Sequence, residues 1–222
     1  MPELSIDEYI DLLRHSDNAG IRANAAWSMG HFRDYRCLQP LLDAVYDEAG
    51  AVRARVMEAL GSRREPEIAD ALLVGLHDTD PDVRAMAARA VGSVAPTEAT
   101  VALMTLLMDE IPNVRAETVQ ALSKSDEEDI NDALVEVFLD DDDATVRHFA
   151  RQALSERGGT IVISALLEAL EAYRDNPPVL IDTIEVLAQL RTKRAKAAYE
   201  AFATHDDEGV KATALWALGL LK

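Results

Sequence analysis

A two-residue phrase, an aliphatic residue followed by a base, returns along the whole chain and restricts its fold more than any other feature. It reads Ile21-Arg22, Val52-Arg53, Val83-Arg84, Val114-Arg115 and Val146-Arg147, degenerates to Val179-Leu180, and returns as Val210-Lys211. The second members are 31, 31, 31, 32, 33 and 31 residues apart. Self-similarity at such a period marks a repeat architecture, in which each repeat buries its apolar face only against its neighbours. Seven repeats of this length account for all 222 residues, so a single repeat domain over 1–222 is expected.

The grammar inside each repeat is helical. After Arg84 the third, fourth, sixth, seventh and eighth positions are Ala87, Ala88, Ala90, Val91 and Gly92. Small residues there let a neighbouring helix come close. The glycines at the eighth position, Gly30, Gly61, Gly92 and Gly219, are expected to end the helix. A second segment is apolar at i, i+3, i+4 and i+7, as in Leu38, Leu41, Leu42 and Val45, or Leu103, Leu106 and Leu107. Polar turns join the pieces. In Asp78-Thr79-Asp80-Pro81-Asp82, Asp80 suits the N-cap, Pro81 the first helical position, and the acids suit the positive end of the helix dipole. The expected fold class is all-α, an α-solenoid superhelix of seven stacked helix-turn-helix repeats.

Three phrases carry a family resemblance: Asp80-Pro81-Asp82-Val83-Arg84, the Ala-Ala-x-Ala-Val-Gly of residues 87–92, and Arg36-Cys37-Leu38-Gln39-Pro40-Leu41-Leu42-Asp43-Ala44-Val45. They resemble the HEAT repeat family, more narrowly its phycobilisome lyase-type HEAT-like repeats, over the whole chain. The resemblance implies an armadillo-like solenoid that binds partners on its concave face. Fold alone does not fix an activity.

Positions two, five and nine after the recurrent Arg vary from repeat to repeat and share one helix face. The resemblance places that face on the concave surface. Its candidate partner-binding residues are Asn24, Trp27, His31, Arg55, Glu58, Met86, Arg89, Glu117, Gln120, Lys124, Phe149 and Gln152. Trp, Met, Phe and Arg on a nearly charge-balanced stripe are the residue types expected of a protein interface. The recurrent Arg22, Arg53, Arg84, Arg115 and Arg147 read as structural. Asp47 precedes Arg53 by six residues, as Asp78 precedes Arg84, Asp109 Arg115 and Asp141 Arg147, while Asp17 precedes Arg22 by five. The resemblance implies that such pairs form a ladder between adjacent repeats, which fixes the stacking. Repeat six, with Asn176-Pro177-Pro178-Val179-Leu180, has no cation there and follows Gly158-Gly159, so altered stacking is expected.

Composition narrows the partners. The chain carries 40 Asp and Glu against 22 Lys and Arg, a net charge of −18, so it has no general attraction for nucleic acid or an anionic membrane, and neither is expected as a partner. Its 17 Arg and 5 Lys, with this acidity, suggest a halophilic setting, where at 1 M salt the screening length is about 3 Å. Residues 126–143 hold ten acids and no base, read as a solvated helix-capping loop, since the spacing matches no EF-hand. His15, His31, His77, His148 and His205 make no metal-ligand pair on one helix. There is no His-Glu dipeptide of the kind by which the HEAT family member deoxyhypusine hydroxylase holds a di-iron centre, and no nucleotide-binding or hydrolase motif.

No catalytic residue, metal or cofactor is therefore expected. The single Cys37 points to a reducing compartment, and the start MPELSIDEYI lacks a basic, apolar leader, so the expected location is cytoplasmic. The expected function is a non-enzymatic scaffold binding a protein or peptide on its concave surface. The alternative, implied by the resemblance, is an accessory subunit of a bilin or chromophore lyase-like, cofactor-attaching enzyme. Leu215, Trp216, Leu218, Leu220 and Leu221 give the last helix an apolar end suited to self-association.

Overall fold

Half of the described helices, those beginning at Ile6, Ala19, Pro81, Pro112, Ala144, Pro177 and Glu208, start where a side chain or a proline settles the first free backbone N–H groups. In the computed structural model, which describes residues 4–94, 99–125 and 127–221, Ser5 opens α1 (Ile6–His15) with a reciprocal cap. Its Oγ accepts from the Glu8 N–H, and the Glu8 carboxylate accepts from the Ser5 N–H at 2.7 Å. Asn18 caps α2 (Ala19–Gly30) through the Gly20 and Ile21 N–H groups. Then come α3 (Leu38–Asp43), prolonged by a 3-10 turn at Ala44–Tyr46, α4 (Gly50–Leu60) and α5 (Ile68–Leu76). In α6 (Pro81–Val94) Pro81 is the first residue, and Asp80 accepts from the Asp82 N–H at 2.9 Å. α7 (Thr100–Leu106) and α8 (Pro112–Leu122) complete the first of two compact blocks, Met1–Glu127.

The second block, Glu128–Lys222, contains α9 (Ile130–Asp140), α10 (Ala144–Arg157), α11 (Gly159–Ala172), α12 (Pro177–Gln189), α13 (Lys196–Phe202) and α14 (Glu208–Leu220). The described residues thus form fourteen α-helices and no strand, two helices for each repeat read from the sequence. None of these helices is long and apolar enough to cross a membrane.

In the first block α2, α4, α6 and α8 lie side by side in chain order, covered by α1, α3, α5 and α7. Alanines line the inner row: Ala26, Ala59, Ala88, Ala90 and Ala121 are buried, as are Val52, Val83 and Val114 of the recurrent phrase. The covering helices contribute Leu41, Ile68, Leu72 and Leu103, none accessible to solvent. Each such aliphatic side chain adds about 1.5–3 kcal/mol relative to an exposed one.

Two of the repeated glycines stand at helix ends as expected, Gly30 as the last residue of α2 and Gly61 directly after α4, whereas Gly92 and Gly219 lie inside α6 and α14. Gly30, Gly61 and Gly92 keep negative φ, and the described positive-φ glycines are Gly158 and Gly159. The three instead admit the neighbouring helix: a Cβ on Gly30 would lie 2.8 Å from Ala59 Cα, one on Gly61 2.8 Å from Ala90 Cβ, and one on Gly92 2.7 Å from Ala121 Cα. A glycine near a helix end has two explanations, and here close packing is the operative one.

The acidic run is not one loop. Its residues 130–140 form α9, which buries Ile130, Leu134, Val135 and Phe138. Asp143 caps α10 through the Thr145 and Val146 N–H groups, and Asp126 lies outside the described residues. The second block departs from the regular pattern where the sequence does. α10 runs to Arg157 and turns into α11 through Gly158 at φ 59° and Gly159 at φ 86°, values that favour glycine. α10 lies against α12 along a shorter stretch than α12 does against α14.

Candidate partner-binding stripe and the Arg–Asp ladder

Two sets of recurrent positions, on opposite sides of each phrase arginine, make up the candidate site. The ladder is geometrically explicit. Arg22 donates from Nε and Nη2 to both Asp47 carboxylate oxygens at 2.8 Å. Arg53 does so to Asp78 at 2.6 and 2.7 Å, and Arg84 to Asp109 at 2.7 and 3.0 Å. The remaining nitrogen, Nη1, reaches backwards to a main-chain carbonyl six residues earlier: Ser16 for Arg22, Asp47 for Arg53, Asp78 for Arg84, Asp109 for Arg115 and Asp141 for Arg147. Asp47, Asp78 and Asp109 therefore give their carbonyls to Arg53, Arg84 and Arg115, while their carboxylates serve Arg22, Arg53 and Arg84 of the preceding repeats. The expected side-chain pairing is corrected accordingly, and Arg22 takes the Ser16 carbonyl where Asp17 was expected.

Each aspartate also holds its own turn. Asp47 accepts from the Ala49 N–H, Asp78 from Asp80 and Asp109 from Ile111, at 2.8–2.9 Å. Burial alone would raise the Asp47, Asp78 and Asp109 carboxyls. The guanidinium hydrogen bonds of Arg22, Arg53 and Arg84, with these N–H groups, outweigh it and hold all three below the usual carboxylate range.

Along the stripe in the first block, Asn24 and Trp27 are exposed on α2 and His31 is exposed just after its end. Trp27 is 44% accessible, with the His31 ring edge-on at 4.4 Å and His31 Nδ1 3.0 Å from the Trp27 carbonyl. Arg55 donates to Glu58 at 2.6 Å. Arg89 forms a two-point pair with Glu117, one contact at 3.0 Å, and Glu117 is buried beneath it at 6% accessibility. The hydrogen bond to Glu117 comes first among the causes holding the Arg89 guanidinium firmly charged, and the Glu58 charge adds to it. Arg55, Glu58, Arg89 and Glu117 thus neutralise one another across α4, α6 and α8. Met86 and Gln120 are half-buried, and Lys124 is exposed. In the second block Phe149 is half-buried, Gln152 is exposed and donates to Glu156 at 2.8 Å, and Trp216 is 49% accessible.

Sequence reasoning missed Arg63. Buried at 6%, it donates to the Phe32 and Asp34 carbonyls at 3.0 and 3.2 Å and to Glu65 at 2.6 Å. It thereby fixes the turn after α2, beside a cleft of about 340 Å³ lined by His31, Arg33, Ser62 and Arg64 among others. Cys37 is fully buried in the 3-10 turn Tyr35–Cys37, where burial pushes its thiol up. No group of three or more His, Cys, Asp or Glu side chains among the described residues could hold a metal ion.

Comparison with known proteins agrees with this architecture. A family model for HEAT repeats matches residues 6–77 and 69–155. No curated protein matches the sequence. Among solved structures, the chain is similar to the complex of CpcE and CpcF of phycocyanin lyase from Nostoc sp. PCC7120, at 23% identity and TM-score 0.60, over 98% of this chain and 88% of that one. YibA from E. coli gives 24% and 0.68 over 96% and 82%. An archaeal HEAT-like repeats protein from Thermococcus onnurineus NA1 gives 16% and 0.55 over 100% and 98%. With paired helices at the repeat period, stacked inner helices and the family model matched over more than half its length, the chain belongs to the HEAT repeat family.

Proposed function

We propose that the protein is a non-enzymatic scaffold whose variable stripe docks a protein or peptide partner. The observation that carries this reading is the state of the stripe in the first block. Four of its charged side chains, Arg55, Glu58, Arg89 and Glu117, are already paired, while Trp27 stands exposed beside His31. Pairing removes the cost of burying unmatched charge, and an accessible indole is the kind of group that anchors an interface. The likeness to the phycocyanin lyase complex is one of fold, and the reading takes no residue role from it.

The test is affinity capture at high salt with the intact chain and with Trp27→Ala combined with Lys124→Ala, which leaves both stripe ion pairs in place. A protein retained by the intact chain and lost from the variant supports the docking surface. Equal retention of every captured protein removes the stripe from the reading.

A further inference from the structure

In the first block Arg22, Arg53 and Arg84 each hold a main-chain carbonyl behind them and an aspartate ahead. Arg147, on α10, makes only the first of these contacts. Its Nη1 donates to the Asp141 carbonyl at 2.6 Å, so its side chain takes up the ladder position. Among the described residues no hydrogen bond or ion pair occupies its Nε and Nη2 edge. The residue 25 ahead is Ala172, and the one six before Leu180 is Arg174. Arg174 is engaged elsewhere, donating to Glu171 at 2.8 Å and lying over the Phe202 ring, 5.4 Å from its centroid.

In place of the missing carboxylate is a cleft of about 290 Å³, with Phe138, Leu139, Pro178 and Val179 as its apolar wall and Arg147 and Asn176 as its polar one. Its volume is roughly that of ten liquid waters. The two acids on its rim are occupied: Asp182 lies 3.9 Å from Arg151, and Asp141 accepts from the Asp143 N–H at 2.8 Å.

We propose that this cleft seats the carboxylate of an aspartate or glutamate side chain from a partner protein segment, completing the rung that repeat six omits. The recognition geometry occurs three times in the same molecule, with Nε and Nη2 each donating to one carboxylate oxygen at 2.6–3.0 Å. Two-point guanidinium–carboxylate bonds are strong and directional, and an apolar wall strengthens them by excluding water. The seat lies within the second block and does not rest on the stripe reading.

The chain's own third turn serves as probe: a blocked peptide of residues 107–114, which carries Asp109 and Glu110. Arginine Nε–H signals of the full chain are followed by NMR, with Arg147→Lys identifying the Arg147 signal by its loss. The Arg147 signal should shift saturably with the peptide. Roughly tenfold weaker binding, or none, is expected when the peptide carries Asp109→Asn and Glu110→Gln. Asn176→Asp in the chain puts a carboxylate in the cleft from within and should abolish the shift. An unmoved Arg147 signal, equal binding of the neutral peptide, or undiminished binding by Asn176→Asp would each overturn the proposal.

Discussion

Between Arg22 and Asp109 the repeats of the first block are fastened by two devices, whereas from Arg147 onward the second block shows neither. In the first, a glycine on each inner helix admits an alanine of the next, and an arginine grips the next turn with both carboxylate oxygens. In the second, Ser155 and Ala188 replace the glycine, and Arg147 and Leu180 lack the aspartate. Arg151 instead donates to Glu185 at 2.7 Å, a pair about one-third exposed and hence worth little. α12 and α14 pack directly on one another, and Leu180, Ile184, Leu187, Val210 and Ala214 on these two helices are all buried. A solenoid can thus hold register by directional bonds in one part and by apolar burial in another.

The largest difference should appear on removing the guanidinium. Arg84→Ala strands the Asp109 carboxylate, whose side chain is 7% accessible, and should cost about 3 kcal/mol. Arg147→Ala removes one carbonyl contact and should cost about 1 kcal/mol. Denaturant unfolding reads the blocks separately, because Trp27 lies in the first and Trp216 in the second. Equal losses would abolish the distinction.

Next comes the glycine pair. Gly92→Ala drives a methyl against the Ala121 backbone and should destabilise by about 2 kcal/mol. Gly219→Ala meets nothing within 4 Å and should stabilise α14 by about 0.5 kcal/mol. Thermal melts of the two variants moving in the same direction would refute the close-packing account.

Acid should also separate the blocks. Asp47, Asp78 and Asp109 have folded-state values held below the ordinary one, so their stabilisation is complete above about pH 4 and is lost as pH falls through the depressed values. The Trp27 transition should weaken more steeply below pH 4 than the Trp216 transition, and parallel curves would count against the ladder's role. Salt should give the smallest effect. With a net charge of −18, both transitions should gain on the order of 0.5 kcal/mol from low to molar salt. Unchanged melting would remove the salt-adapted reading.

The helix pairs were legible because Val-Arg and its alanines recur at a fixed spacing, and the turn chemistry at Asp80-Pro81 marks a helix start. The ladder partner was not, for an arithmetic reason. In a chain of period 31, the aspartate six before one arginine and the aspartate 25 after the preceding arginine are the same residue. Periodicity cannot tell a bond within a repeat from one between repeats, and only the direction of the guanidinium separates them. The Arg89–Glu117 pair was hidden because both residues belong to the variable set, where no column repeats. Arg63 was hidden because the contacts that tie it to the turn after α2 are to the main-chain carbonyls of Phe32 and Asp34, which leave no trace in side-chain identity.

The same coincidence makes the first block editable. A segment from Asp47 up to the residue before Asp78 begins and ends at equivalent points of the ladder, so its removal would present Arg22 with Asp78 in the setting Asp47 had. The Gly30–Ala59 contact would re-form as Gly30–Ala90. Lengthening by whole segments would likewise need no new junction, so the number of repeats can change by copying without redesigning the joints.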